Sequence, residues 1–175
     1  GFIALQLAAR GRALSVVALA PAGGWARGDE SFKETLAFFT TTHEQLQTAA
    51  PHAEAIAAST DGRRAATQFI TTSFEHIPAE LIAHLIRGAA SCDAAPLIES
   101  AMREGYELDA EKIACPVRVV WGTDDRILPW PSTAARFRGD WLPGADWVEL
   151  DGIGHCPQLD IPLETAQLIL GFTAT

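Results

Sequence analysis

The sequence predicts an α/β fold, a parallel sheet of three strands with a long helical insertion. Val117-Arg-Val-Val-Trp121 is short, apolar and β-branched, and it stops at Gly122 before the acidic turn Asp124-Asp125. Such a run reads as a buried strand of a parallel sheet. Trp147-Val-Glu-Leu150, followed by Asp-Gly-Ile-Gly-His155, has the same strand-then-loop form. From about Gly28 to Glu111 no strand pattern occurs, and apolar residues fall at helical spacing instead.

Taken in order, Phe2, Ile3, Leu5, Leu7 and Ala8 are apolar nearly all round, as in a helix buried against a sheet. Gly11 is placed to end that helix. Leu14–Ala20 is a continuous apolar strand, broken at its carboxyl end by Pro21-Ala-Gly-Gly-Trp25. Trp25 then falls at the ligand edge of the sheet, where it lines a pocket or covers the core. Phe32, Leu36, Phe39 and His43 begin the helical stretch. Asp61 is placed to cap a helix running through Ala65, Ala66, Phe69 and Ile70. Pro78 opens a helix carrying Leu81, Ile82, Leu85 and Ile86, and Asp93 with Pro96 opens another carrying Leu97, Ile98 and Met102. Tyr106–Ile113 returns to the sheet, a helix through Ala134, Ala135 and Phe137 joins the last two strands, and a helix from Pro162 closes the chain. The expected division is a sheet core of residues 1–27 and 112–175, with 28–111 inserted between two strand ends.

An acid at one strand end and a histidine at the next are two parts of a nucleophilic triad. A serine hydroxyl needs an imidazole to take its proton, and the imidazole needs a carboxylate to hold its tautomer and stabilise its cation. Asp125 also suits a tight turn, since Asx side chains bond the backbone ahead of them. Asp124 and Asp151 read as turn or solvent-facing acids, and Cys156 as a packing residue beside the histidine. His43, His52, His76 and His84 lack ligand spacing.

Gly122-x-x-Asp125-x-x-x-Pro129, then Gly154-His155-x-Pro157 with Asp160-x-Pro162 behind it, resembles the C-terminal half of the α/β-hydrolase family. The order of that family is nucleophile, acid, histidine. The resemblance makes Asp125 the triad acid, His155 the general base and the 28–111 insertion a helical cap over the active site. The Gly-x-Ser-x-Gly elbow is not in this chain. Gly1–Arg10 looks like the helix that follows it, so the nucleophile is expected just upstream of Gly1, and the chain reads as the C-terminal part of a longer hydrolase. Three functions are open: cleavage of an ester or similar small apolar substrate; a dehalogenase or epoxide hydrolase with a carboxylate nucleophile; or a non-catalytic binding remnant. Epoxide hydrolases of this family typically use two cap tyrosines, and this chain has Tyr106 alone.

The 175 residues are enough for a real core, and the net charge of −9 argues against a nucleic-acid partner. No apolar run approaches the roughly 20 residues of a membrane span. Phe32, Phe38, Phe39, Phe69 and Phe74 are available to line an apolar cap. The expected partner is a small apolar molecule, with no cofactor and no metal. Cys92, Cys115 and Cys156 have neither zinc spacing nor the even count of a disulfide set, which points to the cytoplasm.

Overall fold

β-branched runs end where glycine and acidic turn residues begin, and these boundaries set the sheet. In the computed structural model, which describes residues 1–173, strands β1 (Val16–Leu19), β2 (Val117–Gly122) and β3 (Asp146–Leu150) form one sheet in the order β1-β2-β3. Both pairings are parallel; Val16 lies opposite Val117 and Gly122 opposite Leu150. Parallel registration brings the three carboxyl ends to one edge. The chain divides into two compact units, one of 1–29, 70–72 and 106–175, the other of 30–69 and 73–105.

The sheet unit is held by apolar burial. Helix α1 (Phe2–Ala9) buries Leu5 and Ala8, and β1 buries Val16 and Ala18. The central strand β2 buries Val119, Val120 and Trp121 almost completely. Each such side chain contributes roughly 1.5–3 kcal/mol relative to exposure. The Trp121 indole is satisfied as well as buried, donating to the Leu128 carbonyl at 3.0 Å. This bond ties the loop after β2 back onto the strand that launches it.

The segment between β2 and β3 departs from the regular helix expected there. It is a 3-10 turn at Ser132–Ala134 followed by a π turn at Phe137–Trp141. Thr133 Oγ1 donates to the Pro129 carbonyl, and the Arg136 amide is taken by the Gly24 carbonyl at 2.7 Å. Such side-chain and long-range partners compete with a regular i→i−4 ladder. After β3 come a single turn α7 (Pro157–Asp160) and helix α8 (Pro162–Thr173).

The other unit is built of helices α2 (Phe32–Ala49), α3 (Ala53–Ala58), α4 (Thr60–Thr67), α5 (Ala79–Ala90) and α6 (Ala95–Glu104). Leu36, Ala53, Ala57, Ile82, Ala83 and Ile86 form its core. The expected cap at Asp61 is replaced by Ser59, whose hydroxyl accepts from the Gly62 amide at 3.0 Å. That helix ends at Thr67, so Phe69 and Ile70 lie beyond it. Arg63 Nη2 reaches the carbonyls of Phe74, Glu75 and Ile77 and pins the loop before α5. Of the residues expected in the 28–111 insertion, 28–29, 70–72 and 106–111 lie in the sheet unit. No single helix among the described residues is long and apolar enough to cross a membrane.

Candidate active site

Asp125 sits three residues past the end of β2, and its carboxylate is 0% exposed. Its Oδ1 accepts from the amides of Ile127 at 2.9 Å and Leu128 at 2.8 Å. Its Oδ2 lies 2.8 Å from His155 Nδ1. The two readings of Asp125, turn former and partner of the histidine, thus coexist on separate oxygens. A carboxylate only accepts, so Nδ1 of the imidazole carries the proton and Nε2 is left as the basic nitrogen. The His155 side chain is 22% exposed, so one part of the ring is held and another stays accessible. Asp124 is exposed and does not hold the imidazole; its amide instead donates to the Ile153 carbonyl at 3.0 Å.

The two loops meet because β2 and β3 are neighbours and Gly122 has no side chain. A Cβ at Gly122 would stand 2.2 Å from the Ile153 carbonyl oxygen and 2.4 Å from that of Gly154. Further bonds lock the loops together: Thr123 N–H to the Leu150 carbonyl at 3.0 Å, and Gly152 N–H to Thr123 Oγ1 at 2.9 Å. The acid and the histidine are therefore set by a rigid backbone contact rather than by side-chain reach alone.

Trp25 is only 6% exposed, and its ring tilts against Tyr106 with centroids 5.7 Å apart. Tyr106 also meets Phe2 edge-on at 5.2 Å and lies in the sheet unit rather than among the helices. Burial pushes its phenol above the ordinary tyrosine range. Cys156 is half-buried, and desolvation pushes its thiol up to about 11, so it stays protonated beside His155. In the helical unit Phe38 packs on Phe69 at 5.0 Å and on Phe39 at 5.9 Å, and none of the three is buried. His52, His76 and His84 are exposed and His43 half-buried; among the described residues no cluster of metal-ligating side chains occurs.

Sequence reasoning singled out Asp125 and His155 and missed the residues that fix them. Asp160 is 9% exposed; its Oδ2 accepts from the Gly154 amide and its Oδ1 from the Thr72 amide, both at 2.9 Å. The available signal was Asp160-x-Pro162 behind the histidine, part of the family pattern but given no role there.

Over 175 residues the chain is 33% identical to the epoxide hydrolase EphH of Mycobacterium tuberculosis, covering 98% of this chain and 81% of the relative. No family model matches. Among solved structures it superposes on a membrane phospholipase A described as a bacterial virulence factor, with TM-score 0.63, 23% identity and 99% of this chain covered. It also superposes on the α/β hydrolase MGS-M2 from a Medee basin deep-sea metagenome library, with TM-score 0.59, 17% identity and 99% covered. For the esterase RhEst1 from Rhodococcus sp. ECU1013 the values are 0.57, 20% and 97%. The chain spans 53%, 61% and 59% of the lengths of these three structures.

Proposed function

The chain belongs to the α/β-hydrolase fold family, and we propose that it supplies the acid and the base of a hydrolytic active site. Asp125 is the acid, His155 the general base, and the nucleophile lies outside these 175 residues. The observation that carries this reading is the 2.8 Å bond from His155 Nδ1 to an otherwise satisfied, fully buried carboxylate. That arrangement fixes the tautomer with Nε2 basic and stabilises the imidazolium that forms when Nε2 takes a proton. The absence of Gly-x-Ser-x-Gly from the sequence supports an external nucleophile. The helical unit acts as a cap, with Phe38, Phe39 and Phe69 supplying apolar surface for a small apolar substrate.

Two nucleophiles fit this acid and base. With serine, His155 activates the hydroxyl and then the water that cleaves an acyl intermediate. With a carboxylate, His155 activates only the water that cleaves an alkyl ester intermediate. The similarity to the mycobacterial epoxide hydrolase favours the second for an epoxide substrate. Tyr106 argues the other way, since it packs in the sheet unit and leaves the helices without a tyrosine.

The test joins this chain to an upstream elbow-bearing segment and assays a short activated ester, a terminal epoxide and a haloalkane, with intact mass recorded for His155→Gln. Turnover in the joined protein and none in His155→Gln is expected. An alkyl adduct accumulating on His155→Gln identifies the carboxylate nucleophile, and loss of turnover without an adduct identifies serine. Turnover that survives His155→Gln refutes the reading.

A further inference from the structure

The loop that carries His155 is gripped from a second side by a short piece of chain from within the helical insertion. The chain leaves the helical unit after Phe69, gives Ile70–Thr72 to the sheet unit, and returns at Ser73. These three residues lie against the histidine loop. The Cys156 amide, directly after His155, donates to the Ile70 carbonyl at 2.8 Å. A Cβ on Gly154, directly before His155, would stand 3.1 Å from the Thr71 backbone, so the two segments are in close contact. The Thr72 hydroxyl lies 3.0 Å from the Gly152 carbonyl and 3.3 Å from Asp160 Oδ1.

Asp160 joins the two segments. Its carboxylate accepts from the Thr72 amide on one oxygen and from the Gly154 amide on the other. Both bonds end on an ionisable group that is nine-tenths buried, where charge-assisted bonds are stronger than neutral ones. Asp160 acts on the backbone directly before His155 and, through Thr72, on the segment that holds the amide directly after it. The His155 peptide is thus flanked by two held amides, Gly154 N–H on Asp160 and Cys156 N–H on Ile70.

We infer that Asp160 is a positioning residue for His155, acting through a strap formed by Ile70–Thr72. The Asp125–Nδ1 bond alone leaves the ring free to swing about that contact, and the strap removes this freedom by holding the backbone from which the ring hangs. The inference rests on His155 being the base, but its test follows the ring's position without turnover. A catalytically silent His155 would refute that reading and leave the positional result standing.

The experiment is NMR on this chain joined to the upstream elbow-bearing segment. In the wild type, the His155 Nδ1–H held by Asp125 gives a sharp downfield resonance, absent in Asp125→Asn, which assigns it. Asp160→Asn keeps the shape but turns an amide donor toward one of the two N–H groups. Expected is at least a ten-fold faster exchange of the Gly154 amide and loss or broadening of the His155 signal, with β2 amides at wild-type rates. A folded Asp160→Asn with an unchanged His155 signal overturns the proposal. If β2 protection falls as well, Thr72→Ala decides. It is expected to fold, to speed Gly154 exchange at least three-fold and to shift the His155 signal; no change in either overturns the proposal.

Discussion

Replacing Gly122 with alanine should break the site from a position that meets Asp125 through the backbone alone, the Asp125 amide donating to the Gly122 carbonyl at 3.3 Å. The added Cβ would lie 2.2 Å from the Ile153 oxygen, 2.4 Å from the Gly154 oxygen and 2.7 Å from the Ile153 carbonyl carbon. Ordinary carbon–oxygen contact is near 3.4 Å, so one partner must retreat by about 1 Å. Strand β2 cannot, because it is paired on both sides, to β1 and to β3. The 152–155 loop must move instead. A retreat of that size takes the Asp124 amide out of reach of the Ile153 carbonyl, now 3.0 Å away. It also stretches the 2.8 Å bond from His155 to Asp125 past the hydrogen-bond limit. Overpacking of a tight contact costs about 1–3 kcal/mol, and a lost bond to a charged group about 1.5–3 kcal/mol. The terms overlap, so the expected loss is roughly 3 kcal/mol, or about 6–12 °C in Tm at this size. Thermal melting and the His155 downfield resonance read the two consequences separately. A Gly122→Ala protein within about 0.5 kcal/mol of wild type, with the resonance intact, would refute the argument that this backbone contact sets the pair.

Asp125→Ala should cost about 2–4 kcal/mol in urea unfolding, because two buried amides and an imidazole N–H lose their acceptor together; a change under 1 kcal/mol contradicts the bonding described. Cys156 should alkylate far more slowly than the exposed Cys92 at pH 8, since burial disfavours its thiolate. The sign follows: a thiol raised from 9.0 to about 11 contributes stability below pH 9 that is lost as pH rises toward 11. Cys156→Ala should flatten the fall in stability over that window, and an unchanged slope rules the thiol out as its source. The sheet unit exposes Leu14 at 96%, Ile3 at 64% and Leu163 at 74%, and β1 pairs with β2 alone among the described strands. The purified chain should therefore self-associate on light scattering; a monodisperse monomer with a cooperative melt is the opposing result.

The sheet was legible because its strands are short, largely apolar runs that stop at turn residues, and a parallel sheet gathers their ends at one edge. Asp125 and His155 stood out because an acid and a histidine past neighbouring strand ends match the family pattern, although Asp124 and Asp151 lie nearer those ends. What escaped notice lacks a local pattern. Ile70 reads as the end of a helical pattern and Thr71 and Thr72 carry none, and their place in the sheet unit follows from tertiary partners, the Asp160 carboxylate and the Cys156 amide. Ser59 and Asp61 are equally good caps by residue type, and only the backbone geometry selects Ser59. The Ser132–Trp141 segment has helical composition, but side-chain bonds and a long-range backbone bond draw it into 3-10 and π turns. Trp25 reads equally as pocket lining or core cover because it follows a strand end; it is 6% exposed and packs against Tyr106.

The central claim is that Asp125 and His155 work as one acid–base unit, and a double-mutant comparison measures this most directly. In the protein carrying its nucleophile, kcat/KM would be determined for wild type, Asp125→Asn, His155→Ala and the double variant, each with its melting curve. His155→Ala should lose at least about a thousand-fold, and adding Asp125→Asn should remove little more, because residues acting as a unit are non-additive. Losses that multiply, or a folded His155→Ala that retains wild-type kcat/KM, would contradict the account.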